Sequence, residues 1–158
     1  MITASVESFA VNMPALRELT PRHYDELSLH KAQGYALAPQ WNVYLELERK
    51  DELVFIALRR DAKLVGYWIG FVHPGLHYST CLTSVMDIWF IHPDFVHGKA
   101  PLVLFNEVER TLTRRGVALS LLGEKLHRPC AGFYSRLGYA PVETFHAKWL
   151  APQAPRMR

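Results

Sequence analysis

The chain has 158 residues, which fits one domain with a core of its own and no need of metal or disulfide staples. Hydrophobic residues make up 49% and charged residues 21%, a composition that excludes a disordered chain. A formal charge of +3 and a pI near 9.0 are too mild to imply nucleic-acid binding and suit a polyanionic small ligand equally well.

In chain order, residues 1–14 lack clear periodicity and read as loosely held. Residues 15–19 suggest a short first strand. Thr20-Pro21 then reads as a helix start, with Thr20 capping and Pro21 at the first helical position. Residues 41–49 predict a second helix. LVFIALRR (53–60) and LVGYWIGFV (64–72) are strand runs joined by a turn at 61–63, so they read as a hairpin broken by Pro74-Gly75. Residues 83–91 predict a third strand. Leu104, Phe105, Val108 and Leu112 share one helical face, closed by Gly116. A strand over 117–122, a short helix from Pro129 to Gly138 and a last strand over 142–150 complete the reading. Residues 151–158, with two prolines and two arginines, read as a frayed tail. Hairpins followed by alternating strand and helix predict a mixed α+β fold: a curved central mixed sheet flanked by helices on both faces.

Cys81 and Cys130 are too few for a disulfide framework and read as free thiols in a reducing, cytoplasmic compartment. The opening MITASVESFAVNM has no basic n-region or long apolar core. No run reaches the roughly 20 apolar residues of a membrane helix.

AGFYSRLGYAPVETFHAKWL (131–150) carries a helix ending in Phe133-Tyr134-Ser135-Arg136-Leu137-Gly138-Tyr139, followed by Pro141 and a strand. This segment resembles the C-terminal part of the GNAT superfamily of N-acetyltransferases. LVGY (64–67) resembles the second arm of that family's hairpin, and DIWFIHPDF (87–95) the strand before its coenzyme loop. Residues 41–150 together are similar to small phage- and prophage-encoded members. Those share a Leu-His-Tyr element like Leu76-His77-Tyr78 and an Asp-x-x-x-x-His-Pro element like that from Asp87 to Pro93. The resemblance implies a single N-acetyltransferase domain over 1–158 with about six or seven strands. It implies a cytoplasmic transferase that moves an acetyl group from acetyl-CoA to a small-molecule or protein amine, with no metal, nucleic acid or membrane partner. Pairing of sheets into a homodimer is common in the family. The alternative is a degenerate coenzyme A binder, or a non-catalytic accessory protein that binds a partner.

In the family, a loop between strand and helix holds the coenzyme pyrophosphate on backbone N–H groups at a helix start, aided by the helix dipole. The nearest fit here is His97-Gly98-Lys99-Ala100-Pro101-Leu102. His97 stands where Gln or Arg is usual, Ala100 and Leu102 replace smaller residues, and Pro101 has no N–H to donate. Lys99 and His97 supply charge in compensation. Phe90, Ile91 and His92 lead into the loop. His127 takes the place of a capping asparagine that meets the coenzyme, and is read chiefly as a cap.

Direct transfer needs a base, an oxyanion donor and an acid for the departing sulfur. By position in the motif, Tyr134 is the candidate acid and Asp87 the candidate base. His77 is a second candidate base because histidine titrates near working pH, and Tyr78 beside it is a candidate for acceptor binding. Each has a plainer reading as a packing tyrosine, a strand carboxylate or loop residues. His73 and His77 are four apart, but Pro74-Gly75 between them prevents a shared helix face for zinc. Cys130 reads as a small buried residue rather than a nucleophile. Arg110, Arg114 and Arg115 read as a solvated face.

Overall fold

The computed structural model describes residues 1–150. Its sheet has five strands in the order β1 (Ile2–Val6), β2 (Leu53–Arg60), β3 (Lys63–Pro74), β4 (Leu82–Ile91) and β5 (Leu119–Leu121). The first four pair antiparallel, and β5 runs parallel to β4. Helices α1 (Phe9–Leu27) and α2 (Trp41–Arg49) precede β2, α3 (Ala100–Arg114) joins β4 to β5, and α4 (Ala131–Arg136) follows β5.

Two apolar layers explain why helices occupy both faces. On one face, Val54, Ile56, Trp68 and Ile91 of the strands pack with Leu104, Phe105, Val108 and Leu112 of α3 and Tyr134 of α4. The opposite face puts Phe55, Tyr67 and Phe90 against Phe9 and Leu16 of α1, with Trp41 and Tyr44 of α2 at its margin. Strands buried on both faces lose the alternating pattern, and β2 reads as a continuous apolar run.

The helix ends follow from local chemistry. Gly116 has φ +75°, a conformation that favours glycine. Its N–H donates to the Thr113 carbonyl and that of Val117 to Leu112, closing α3 with the paired bonds of a Schellman cap. The same pattern ends α4, where Gly138 (φ +88°) donates to Ser135 and Tyr139 donates to Tyr134. The Leu-Gly-aromatic motif is therefore, in physical terms, a helix stop.

Four expectations are corrected. Residues 1–14 are not loose: they supply β1 and the start of α1. Residues 15–19 are not a strand, and Thr20-Pro21 does not start a helix; both lie inside α1, which Ser8 caps and which runs through Pro14 and Pro21. Each proline removes a helical hydrogen bond. The helix persists because Phe9, Asn12, Leu16 and His23 bury one stripe, and because the Glu48 carboxylate of α2 accepts the N–H groups of Phe9, at 2.5 Å, and Ala10, at 3.0 Å. Residues 142–150 do not form the last strand. They are exposed and without regular structure, so among the described residues the sheet has five strands rather than six or seven. A strand needs a ladder partner, and among the described residues this segment's ring contacts are those of Trp149 with His30 and Tyr35. The tail at 151–158 lies outside the described residues.

Candidate active site

β4 is where the sheet comes apart. It pairs with β5 only from Thr83 to Val85, so from Met86 to Ile91 its backbone has no strand partner on that side among the described residues. Unpaired strand groups of this kind can hydrogen-bond an extended ligand. Beside this edge lies a cavity of about 530 Å³, lined by Trp89 of β4, Pro101 of α3, and Pro129, Cys130, Gly132, Phe133 and Arg136 in and before α4.

The loop leading into α3 borders the same cavity. Val103 N–H makes the first helical bond, to the Lys99 carbonyl. The N–H groups of His97, Gly98, Lys99, Ala100 and Leu102 have no acceptor among the described residues. Gly98 adopts φ +70°, and a methyl group built on it would meet nothing within 4 Å. The Ala100 side chain, which stands where the family has a smaller residue, is 1% exposed and packs into the core beneath α3. His97 and Lys99 are exposed, and Lys99 has no ion-pair partner among the described residues. Pro101 lines the cavity itself. Phe90 and Ile91 are buried in opposite cores, so only their backbone is open to a ligand. His92 is tied inward: its N–H donates to the Val65 carbonyl and its Nδ1 accepts the Asp94 N–H.

Tyr134 is 8% exposed. Its hydroxyl accepts a hydrogen bond from Trp89 Nε1 (2.9 Å) and donates to the Gly123 carbonyl (3.2 Å). Burial first, then the charges of Cys130, Glu124 and Tyr139, push its pKa up against the opposing pull of Trp89. It stands behind Trp89 rather than among the residues lining the cavity.

Asp87 sits in a β-bulge. Ile69 pairs with Ile88 and Gly70 with Met86, which leaves Asp87 as the extra residue of β4. A bulge re-aims a side chain, and this one turns Asp87 toward α2, where it accepts the Tyr44 hydroxyl at 2.6 Å. Its surface remains exposed, yet the packed sheet and helices around it raise its pKa, opposed by the Tyr44 hydrogen bond and the charge of Lys125. Tyr134 and Trp89 face one core and Asp87 the other, so the two candidate catalytic groups address β4 from opposite sides of the sheet.

His77 and Tyr78 are exposed on the β3–β4 connection. Their rings meet each other, and neither side chain bonds to Asp87 or Tyr134. The structure therefore does not bring them to the cavity. His127 is not the cap of α4. It lies in a turn closed by Arg128 N–H to the Lys125 carbonyl, while the Glu124 carboxylate accepts the Cys130 N–H at the start of α4. Sequence reasoning missed Trp89, Arg136 and Tyr44. Trp89 and Arg136 lie inside the quoted motifs without being singled out there, Tyr44 lies in none, and only the fold brings the three to the site.

The chain has the fold of GNAT acetyltransferases, a mixed α+β sheet flanked by helices. No protein-family model and no curated protein matches the sequence. Among solved structures it is similar to an aminoglycoside acetyltransferase from an uncultured soil metagenomic sample in complex with trehalose (TM-score 0.72, 9% identity, 96% of this chain and 97% of that one). A transcriptional regulator from Bacillus halodurans C-125 matches at TM-score 0.74 and 18% identity, over 94% and 100%. A predicted acetyltransferase with acetyl-CoA from Clostridium acetobutylicum matches at TM-score 0.69 and 9% identity, over 95% and 97%. Likeness at these identities establishes the fold alone.

Proposed function

We propose that the protein is an N-acetyltransferase that moves the acetyl group of acetyl-CoA to a primary amine. The observation that carries this reading is the run of N–H groups at His97, Gly98, Lys99, Ala100 and Leu102 that have no acceptor among the described residues and open a fifteen-residue helix beside an apolar cavity. Such a helix start favours a diphosphate through both its donors and its dipole. Ala100 does not crowd it, and Pro101 costs it one donor.

Acetyl-CoA supplies an activated acyl group on sulfur. Asp87 takes a proton from the attacking amine, an unpaired N–H of β4 steadies the developing oxyanion, and the Tyr134 hydroxyl turns from the Gly123 carbonyl toward the departing sulfur. The carbon–nitrogen bond forms as the carbon–sulfur bond breaks, giving an amide and a thiolate that the Tyr134 hydroxyl hydrogen-bonds, while the amine's proton rests on Asp87 until solvent carries it to the sulfur. Lys99 and His97 hold the phosphates by charge. The acceptor enters from the α1/α2 face, where Asp87 is turned. His77 and Tyr78 would reach it only through an acceptor long enough to span the hairpin.

Acetyl-CoA at about 100 times its dissociation constant should stabilise the fold by about 2.7 kcal/mol, read as a rise in thermal midpoint of several degrees. No shift at millimolar ligand would sink the coenzyme site. A second reading, a coenzyme binder without catalysis, is favoured by the Tyr134 hydroxyl being already satisfied by Trp89 and Gly123. A thermal shift without turnover on a panel of amines would select it. Lys99→Ala should weaken acetyl-CoA binding about fivefold at low ionic strength and much less at high salt; equal losses under both conditions would reject a charge role.

A further inference from the structure

We infer that Tyr44, on α2, is the positioning residue for Asp87, fixing one carboxylate oxygen so that the other is presented to the acceptor amine. This inference rests on the transferase reading above and adds a residue to it. Tyr44 is itself held rigidly. Its ring stacks on Phe9 at 5.1 Å with planes 25° apart, and on Phe71 at 6.3 Å and 27°. Phe9 is fully buried and begins the helix that Glu48, one turn further along α2, caps. The Tyr44 hydroxyl therefore arrives at Asp87 on a braced element, 2.6 Å from Oδ2.

The bulge makes the arrangement specific. A carboxylate in an extra residue of a strand has no ladder neighbour to orient it, and Tyr44 is the group that does so. A phenol bound to one oxygen leaves the second free, with its lone pairs open to solvent and to an incoming amine. Positioning of this kind removes rotational freedom that the base would otherwise lose in the transition state.

Other groups face Asp87 as well. Lys125, beyond β5, acts on it through its charge. Tyr67 of β3 senses the charges of both Asp87 and Tyr44. His23 of α1 is bonded to Tyr67 and titrates near 4, so it is neutral where activity is measured. The Tyr44 hydrogen bond favours ionised Asp87. Removing the hydroxyl leaves burial less opposed, the Asp87 midpoint rises, and the acidic limb of kcat/KM moves to higher pH.

The experiment uses the full chain with acetyl-CoA and the best amine of the panel. Tyr44→Phe keeps the ring stacking. It should lower kcat/KM roughly fivefold at about pH 6 and by less than about twofold at about pH 9. The Asp87 carboxyl, followed by carbon-detected NMR titration, should move upward in the same variant. A pH-independent loss with an unmoved carboxyl would overturn the inference and make Tyr44 a packing residue. A carboxyl that moves while the kinetic limb stays would overturn it by removing Asp87 as the base, with acetyl transfer itself intact. Absence of turnover in the unsubstituted protein would sink the transferase reading and this inference with it.

Discussion

Tyr134→Phe lowers kcat by about 100-fold and leaves acetyl-CoA affinity within about twofold, if the phenol serves the departing sulfur. The substitution is informative because the ring stays. It packs against Phe105 at 5.8 Å and Phe133 at 6.0 Å, contacts that phenylalanine keeps. What is lost is one acceptor for Trp89 and one donor for Gly123, a structural cost of about 1 kcal/mol. The raised pKa of Tyr134 keeps the proton on its oxygen across the working range. A thiol is the stronger acid, so outright transfer to the thiolate runs uphill. Tyr134 therefore acts mainly by a hydrogen bond that strengthens as negative charge grows on sulfur, and its contribution appears in kcat rather than KM. A variant that melts earlier but turns over at the original rate would leave Tyr134 a packing residue.

The middle of the chain was legible because its signals are local. The strand run at 53–60 and the helix at 41–49 stand as the residues alone predict, since apolar continuity and helical spacing were uncontested there. The first helix was not legible. Pro14 and Pro21 each mark a boundary by local rules, and what overrides them is tertiary: a buried stripe and a cap supplied by Glu48, 39 residues from Phe9. The last strand failed for the opposite reason. Residues 142–150 have the composition of a strand, but strand formation depends on an edge to pair with, which lies elsewhere in the sequence.

The site divides along the same line. The loop from His97 to Leu102 could be found from its place between strand and helix, whereas the burial of Ala100 is a property of the core below and has no local signal. Asp87 was found by motif, but its face was not. A one-residue bulge reverses the direction of a side chain, and nothing in DIWFI announces it. Tyr44, 43 residues upstream of Asp87, carries no sequence signal at all.

Acid should loosen this fold well above the carboxylate range, and His23 is the reason. It is 7% exposed, stacks on Phe90 at 4.9 Å, and its Nδ1 lies 2.8 Å from the Tyr67 hydroxyl. Burial, helped by the charge of Lys125, lowers its pKa from 6.5 to about 4. The unfolded chain then binds more protons than the folded one between those values. Stability is full above 6.5, falls as pH drops toward 4, and changes no further on this account below that. The linkage amounts to about 3 kcal/mol. Glu7 acts in a lower window, because its hydrogen bond to Arg59 holds its pKa at about 2 and its contribution is lost only below 4.5. Asp87 and Glu109 act with the opposite sign, since burial raises both and folding takes up protons there as pH falls. His23→Leu separates these terms. At neutral pH it should cost about 1–3 kcal/mol by leaving the buried Tyr67 hydroxyl without its partner, while flattening the loss of stability between 6.5 and 4. Urea unfolding at several pH values reads both effects, and an unchanged slope in the variant would show that another group carries the acid lability.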